Sequence, residues 1–258
     1  MKLDGFFDTN KRIAVAFSGG VDSAYLLYAA VTAGADVKAY CVRSAFQPGF
    51  EFDDAEKLAK QIGAEFEVIE VDVLSDEKVT GNPADRCYYC KTRIMTAIKK
   101  AASADGYEMV CDGTNASDDD SDRPGTRALN ELGIRSPLRE CGISKTDIRR
   151  LSKEAGLPTW DKPAYACLAT RIRTGEKITA DKLRTTEKAE AIMQDMGFSD
   201  FRVRMRGNDA LVQITEGQHA DALMRESEIK AALSGMYGKV EIDEVPRPRN
   251  IDLKELGL

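Results

Sequence analysis

The sequence SGGVDS, residues 18–23, is the feature that most restricts how this chain can fold. It follows directly on an apolar run, residues 13–17, and opens a helical pattern that extends to about residue 33. Two adjacent glycines let the backbone turn sharply and approach a ligand closely, and the first N–H groups of a helix attract an anion. The arrangement therefore indicates a phosphate-binding loop between a strand and a helix. An ordinary strand-to-helix turn is the alternative.

The rest of the first half repeats this alternation of strand and helix. Further strands are predicted at residues 37–42, 65–71 and 108–111, and further helices at residues 53–62, 90–102 and 144–155. Short strands separated by helices of this length are typical of βαβ units, which form a parallel sheet with right-handed crossovers. We therefore predict an α/β, Rossmann-like domain over residues 1–175.

The pattern changes after Gly175. A long charged helix at residues 179–196 is followed by strands at 201–205 and 210–214, a mainly helical stretch at 220–233 and a last strand at 239–242. These elements predict a smaller α+β domain over residues 176–258.

Composition narrows the range of functions. The net charge of −6 provides no general cationic field of the kind that gathers nucleic acid. The longest apolar run, residues 25–31, is far shorter than the ~20 residues that span a bilayer, so we expect a cytoplasmic protein. The one histidine, His219, rules out a histidine-rich zinc site, and we expect it in a solvated turn.

Three of the six cysteines suggest a sulfur or metal site. Cys87 and Cys90 form a CxxC among polar residues, and Cys167 stands alone far along the chain. Three thiolates of this kind can hold three irons of a [4Fe–4S] cluster and leave the fourth iron open. Zinc with a fourth ligand and a redox-active CxxC are the alternatives. Cys41 and Cys111 lie on predicted strands, and we interpret them as small buried hydrophobic residues.

An alternating stretch, FRVRMR at residues 201–206, is a candidate anion site. At the strand period of two, its three arginines lie on one face, where guanidinium groups suit a phosphate or carboxylate. A solvated cationic face is the alternative. The acidic run at residues 118–122 is interpreted as a solvated loop.

The SGGVDS sequence resembles the pyrophosphate loop of the N-type ATP pyrophosphatase superfamily. This resemblance implies a PP-loop fold that binds ATP with Mg²⁺, forms an adenylate and releases pyrophosphate. The residues that it implies for ATP are those of the loop, the two that follow the second strand and two that follow the fourth: Ser18, Gly19, Gly20, Asp22, Ser23, Arg43, Ser44, Gly113 and Asn115.

A more specific resemblance rests on SGGVDS together with DRCYYCK, DGTN with DxRPG, IRSPL, Lys162-Pro163 and CLATR. Together these motifs look like the LarE family of ATP-dependent sulfur transferases. The family adenylates a carboxylate of pyridinium-3,5-biscarboxylic acid mononucleotide and converts it to a thiocarboxylate for the nickel-pincer nucleotide cofactor. In one branch a single cysteine gives up its own sulfur. In the other branch three cysteines hold a [4Fe–4S] cluster that delivers sulfide.

This chain has all three cysteines, Cys87, Cys90 and Cys167, and in this it resembles the second branch. The resemblance implies that Cys167 is the catalytic cysteine. The resemblance also implies substrate binding by Arg171, Arg202 and Arg204, and a second metal near Glu190 and Asp221. It leads us to expect a homo-oligomer that acts on a small molecule. A cluster-bearing tRNA thiolase and a carrier that binds ATP and metal without turnover are the competing hypotheses.

Overall fold

The computed structural model describes residues 2–118, 124–163 and 165–248. These residues form two compact units. The first unit contains described residues from 2–73 and 85–162, and the second contains those from 74–84 and 163–248. The predicted acidic loop at residues 118–122 lies outside the described residues except for Asp118.

In chain order, the elements are α1 (Leu3–Thr9), β1 (Arg12–Ala16), α2 (Val21–Thr32), β2 (Asp36–Arg43), α3 (Gly49–Ile62), β3 (Glu65–Glu70), α4 (Glu77–Thr80), α5 (Arg86–Ala104), β4 (Val110–Cys111), α6 (Pro124–Glu131), α7 (Pro137–Glu140), α8 (Lys145–Glu154), a 3₁₀ turn (Leu168–Arg171), α9 (Ala180–Asp195), β5 (Phe201–Arg206), β6 (Asp209–Ile214), α10 (Glu216–Met224), α11 (Glu226–Leu233) and β7 (Val240–Ile242).

The first unit is built on a parallel sheet with strand order β3-β2-β1-β4. Ile13 and Val15 of β1 are fully buried, as are Leu26 and Leu27 of α2, and these residues belong to one hydrophobic core. A strand covered on both faces reads as a continuous apolar run rather than an alternating one, which is the pattern of residues 13–17. The parallel α/β fold expected from the sequence is confirmed.

The second unit contains a three-stranded sheet with order β5-β6-β7. Strands β5 and β6 are antiparallel neighbours, and β7 pairs with β6 in parallel. Helices α9 and α11 contribute Met193 and Leu233 to the core of this sheet. The expected smaller α+β unit is therefore present.

Several boundaries differ from the predictions. Helix α5 begins at Arg86, so both cysteines of the CxxC are helical, and the helical stretch predicted at 220–233 is two helices that meet at Arg225. The second unit includes described residues between 163 and 175, which precede the predicted domain boundary; that boundary stays a prediction. Among the described residues, no helix has both the length and the apolar character needed to cross a bilayer.

Candidate active site

The loop between β1 and α2 is shaped for an anion. Gly19 has a φ of +72°, and a Cβ there would lie 2.9 Å from Ala55 Cβ. The hydroxyls of Ser18 and Ser23 lie 3.2 Å apart, and Ser23 Oγ also accepts a hydrogen bond from the Ser18 N–H. No side chain caps α2, which starts after Gly20. The positive end of helix α2 therefore adjoins a turn that is stabilised by the hydrogen bonds of Ser18 and Ser23.

Asp22, in the first turn of α2, is held by two side chains from distant parts of the chain. Lys145 Nζ lies 2.5 Å from Asp22 Oδ2, and Asn115 Nδ2 donates to Asp22 Oδ1 at 3.3 Å. Lys145 begins α8, whose first turn is fixed by a capping box between Ser144 and Asp147. This contact gives the loop a cation that was not among the predicted site residues.

A cavity of about 500 Å³ opens beside this loop within the first unit. Its walls come from the end of β1, the start of α2, the end of β4 and one face of α5. The lining residues are Ala16, Ser18, Asp22, Ser23, Cys87, Lys91, Met95, Asp112, Gly113, Thr114, Asp118, Pro124, Gly125, Thr126 and Leu129. Strand β1 lies between β2 and β4, so the cavity lies at the carboxyl ends of the strands where the strand order reverses, the usual ligand position in such sheets.

Four of the nine predicted ATP residues line this cavity, namely Ser18, Asp22, Ser23 and Gly113. Gly113 lies so close to α2 that a Cβ there would be 2.8 Å from the Ser23 nitrogen. Buried Asn115 reaches the same place through Asp22. Arg43 and Ser44 do not line the cavity; Arg43 pairs with Glu70 at 3.2 Å and stacks on Phe52. Their assignment to the nucleoside stays a prediction.

The CxxC lies in the first turns of α5. Cys87 is exposed and lines the cavity, and Cys90 is half-buried three residues further along the helix. Arg86 Nη2 lies 3.7 Å from Cys87 Sγ, so a positive charge adjoins this sulfur. A separation of three residues puts the two thiols on one face of the helix, about one turn apart.

Two other cysteines of the first unit, Cys41 and Cys111, have a different environment. Burial raises the pKa of Cys41 to about 11 and that of Cys111 to about 12. Both side chains are buried on strands, which confirms their interpretation as small hydrophobic core residues. No disulfide joins any of the six cysteines, all of which the structure describes.

Cys167 belongs to the second unit, where it precedes the 3₁₀ turn Leu168–Arg171. Its carbonyl oxygen accepts the N–H and the hydroxyl of Thr170 at 2.9 and 2.8 Å. Arg171 is fully buried and forms a two-point ion pair with Glu190, with distances of 2.7 and 3.0 Å. Burial opposes the charge, yet the Glu190 carboxylate raises the pKa of Arg171 above its ordinary value.

Strand β5 adds two more guanidinium groups to the second unit. Arg202 is buried, whereas Arg204 is half-buried and donates to the Thr170 carbonyl at 2.8 Å. Burial, with the charges of Arg171 and Arg247 nearby, lowers the pKa of Arg202 to about 10. Positive charge gathered in a poorly solvated place favours an anionic ligand.

The two residues predicted near a second metal have partners of their own. Glu190 accepts from Arg171 and, at 3.0 Å, from the Val203 N–H, while Asp221 lies on α10, 3.6 Å from Arg225. Within the described parts of each unit, no three His, Cys, Asp or Glu side chains form a group that could hold a metal ion. The second metal stays a prediction.

The expectation for His219 is wrong. Its ring is buried, and Nε2 lies 2.7 Å from the Asp243 carbonyl oxygen. The histidine therefore belongs to the internal hydrogen bonding of the second unit rather than to a solvated turn.

The fold and the loop define the class of protein: a PP-loop ATP pyrophosphatase, in which a parallel sheet presents an SGGxDS loop to ATP. The family model for queuosine biosynthesis protein QueC matches residues 12–86. A pyridinium-3,5-bisthiocarboxylic acid mononucleotide synthase from Lactiplantibacillus plantarum is 33% identical over 88% of this chain and 83% of its own length. The chain belongs to the LarE family, of which that synthase is a member.

Two further relatives show how far the similarity extends. The uncharacterized protein slr1717 of Synechocystis sp. is 37% identical over 84% of this chain and 81% of its own length. A more distant match, tRNA-specific 2-thiouridylase MnmA of Thermotoga neapolitana, is 23% identical over 95% of this chain and 82% of its own length.

Proposed function

We propose that the chain is an ATP-dependent sulfurtransferase of nickel-pincer cofactor synthesis that activates a carboxylate of a pyridinium mononucleotide and replaces an oxygen by sulfur. The observation that carries the proposal is that Cys87 lines the same cavity as the Ser18–Ser23 phosphate loop. The proposed ATP site would therefore share one space of about 500 Å³ with a thiol available for sulfur chemistry.

The activation step uses the loop. A substrate carboxylate oxygen attacks the α-phosphorus of ATP, the bond to the β-phosphate breaks, and pyrophosphate leaves. Gly19 and Gly20 give the phosphates access to the backbone, and the uncapped start of α2 offers N–H donors to the departing charge. Lys145 lies close enough to Asp22 to add a positive charge there, and Asp22 would hold Mg²⁺.

The sulfur step exchanges the acyl–AMP bond for a carbon–sulfur bond, and AMP leaves. Adenylation is needed because a carboxylate oxygen is otherwise a poor leaving group. Cys87, Cys90 and Cys167 would hold a [4Fe–4S] cluster, which supplies a sulfide nucleophile when bound. The helical pair fits this group because its thiols share one face of α5 and are not joined in a disulfide, and because the Arg86 guanidinium lies 3.7 Å from Cys87 Sγ.

The second unit would bind the anionic groups of the substrate. Arg202 and Arg204 are desolvated, and Arg247 adds a further positive charge near them. A mononucleotide with two carboxylates carries the negative charge that such a group of arginines favours.

Metal analysis of anaerobically purified protein tests the proposed source of the sulfur, the iron–sulfur cluster. We expect iron and acid-labile sulfide in the wild type and their loss in Cys87→Ser. The matched control is Cys141→Ser, since Cys141 is a half-buried thiol of the same unit that does not line the cavity. A wild type that is colourless and loaded with zinc contradicts the proposal.

Separate measurement of the two steps tests whether adenylation and sulfur transfer depend on different residues. Cys167→Ala should abolish thiocarboxylate formation and leave substrate-dependent pyrophosphate release intact, because the phosphate loop belongs to the other unit. Loss of both activities together contradicts this expectation. Absence of pyrophosphate release in the wild type with the pyridinium substrate would instead support the non-catalytic carrier.

Binding of bulk tRNA tests the competing thiolase. The net charge of −6 argues against an extended phosphate-binding surface, so we expect only weak binding. Tight binding with a steep salt dependence would favour the tRNA thiolase.

A further inference from the structure

The Glu190 carboxylate is extensively hydrogen-bonded within the described part of the second unit. Its carboxylate accepts hydrogen bonds from Arg171 Nε and Nη2, from the Val203 N–H and from the hydroxyl of Tyr165. The side chains of Glu190 and Arg171 are 4% and 0% exposed. Both oxygens of Glu190 are therefore engaged by the protein itself.

Arg171 is occupied in the same way. Its Nη1 donates to the Ala166 carbonyl at 2.8 Å and to Thr170 Oγ1 at 2.9 Å, while Nε and Nη2 donate to Glu190. Four of the five N–H groups of a guanidinium are thus used, and a side chain with no exposed surface cannot reach a ligand in solution.

Arg171 contacts the chain on both sides of Cys167. The guanidinium binds the residue before Cys167, Ala166, and the hydroxyl of Thr170 three residues after it. That hydroxyl in turn donates to the carbonyl oxygen of Cys167 at 2.8 Å. The backbone on both sides of the thiol is therefore tied to one buried ion pair.

We infer that the Arg171–Glu190 pair positions the Cys167 thiol and that it binds neither substrate nor a metal ion. This role differs from those that family resemblance implies for the two residues. The inference rests on the proposed function only because that function makes the Cys167 thiol a reacting group. A thiol that must meet a partner group at a fixed place benefits from a segment with few alternative conformations.

Alkylation of the iron-free full chain tests the inference without any turnover. The rate at which iodoacetamide labels Cys167 is measured by peptide mass spectrometry, with Cys87 in the same sample as the internal reference. At about pH 9.5 an ordinary thiol is largely ionised, so the rate reports mainly accessibility. Glu190→Gln removes the charge that holds Arg171, and we expect Cys167 labelling to rise on the order of tenfold relative to Cys87.

Two further variants and one surface control separate positioning from general destabilisation. Arg171→Lys keeps the charge but cannot span Ala166 and Thr170 at once, so Cys167 should again become more reactive. Thr170→Val removes one hydroxyl, should fold normally, and should give a smaller rise. Glu228→Gln removes an exposed carboxylate from a surface pair in the same unit and should leave the ratio unchanged.

Unchanged Cys167 labelling in folded Arg171→Lys and Thr170→Val overturns the inference. So does an Arg171→Lys variant that raises only the KM for the pyridinium nucleotide, because that result would make Arg171 a substrate ligand. An iron-free wild type would contradict the proposed function and leave this test intact, since the labelling needs neither iron nor ATP.

Discussion

Replacing Gly19 by alanine should destabilise the protein through the phosphate loop, whereas the same change at Gly20 should not. Gly19 has a φ of +72°, a conformation that side chains disfavour, and its new Cβ would lie 2.9 Å from Ala55 Cβ and 3.1 Å from Ala55 Cα. Gly20 has a φ of −78°, and its nearest neighbour, Ser18 Oγ, would be 3.4 Å away. The two glycines are adjacent but differ in their φ angle and in the space available for a Cβ.

The expected magnitude follows from these two contributions. The left-handed backbone costs roughly 1–2 kcal/mol for a residue with a Cβ. Forcing a methyl group against the backbone of a packed helix adds about 1–3 kcal/mol. Gly19→Ala should therefore lower the free energy of unfolding by about 2–5 kcal/mol, whereas Gly20→Ala should raise it slightly, by up to about 1 kcal/mol, through the unfolded chain.

Urea unfolding followed by tryptophan fluorescence measures both variants. The sole tryptophan, Trp160, belongs to the first unit and so reports on the unit that contains the loop. Adding Ala55→Gly to Gly19→Ala should recover only part of the loss, because the new methyl group would still press against the backbone of residue 55. Equal stabilities for the two single variants, or a loss below about 1 kcal/mol at Gly19, would refute the reasoning.

Three other outcomes are expected. Lys145→Met should slow pyrophosphate release on the order of a hundredfold, whereas Lys153→Met on the same helix, whose ammonium stacks on an indole, should not; equal effects would contradict a role at the phosphates. Iodoacetamide at about pH 8 should label Cys87 long before Cys111, whose pKa burial raises to about 12, as peptide mass spectrometry would show. A hydrogen-bonded guanidinium holds the pKa of Glu140 below 4.5, so its stabilisation is present above that pH and lost as the pH falls. Acid unfolding should accordingly be shallower in Glu140→Gln than in the wild type, and identical acid curves would contradict this.

The sequence predicted the features that depend on neighbouring residues. The apolar run of β1 is predictable because a strand buried on both faces is apolar without interruption, and the same holds for residues 39–42 of β2. Strand β3 lies at the edge of the sheet and has no buried residue, so its β-branched residues, rather than its burial, predict it. The loop was found because its glycines and serines are consecutive. Sequence spacing also placed Cys87 near a helix start, although the helix begins four residues earlier than predicted.

Contacts between distant residues were not predictable in this way. Lys145 and Asp22 are 123 positions apart, and nothing in either neighbourhood indicates the other. The burial of Arg171 depends on Glu190, which α9 supplies 19 positions later. His219 looked solvated because its neighbours are polar, yet the carbonyl of Asp243 gives its ring a buried partner.

The meeting of a thiol and a phosphate loop in one cavity follows from the topology. In a parallel sheet every crossover helix runs back against the strands, so its first turn lies at their carboxyl edge. Helix α5 is the crossover before β4, and its first turn carries Cys87. The loop after β1 lies at the same edge, and β1 is the strand that pairs with β4. A CxxC two turns further along α5 would lie about 11 Å away from that edge. The position of the CxxC within its helix, more than the number of cysteines, is therefore what brings Cys87 to the cavity beside the phosphate loop.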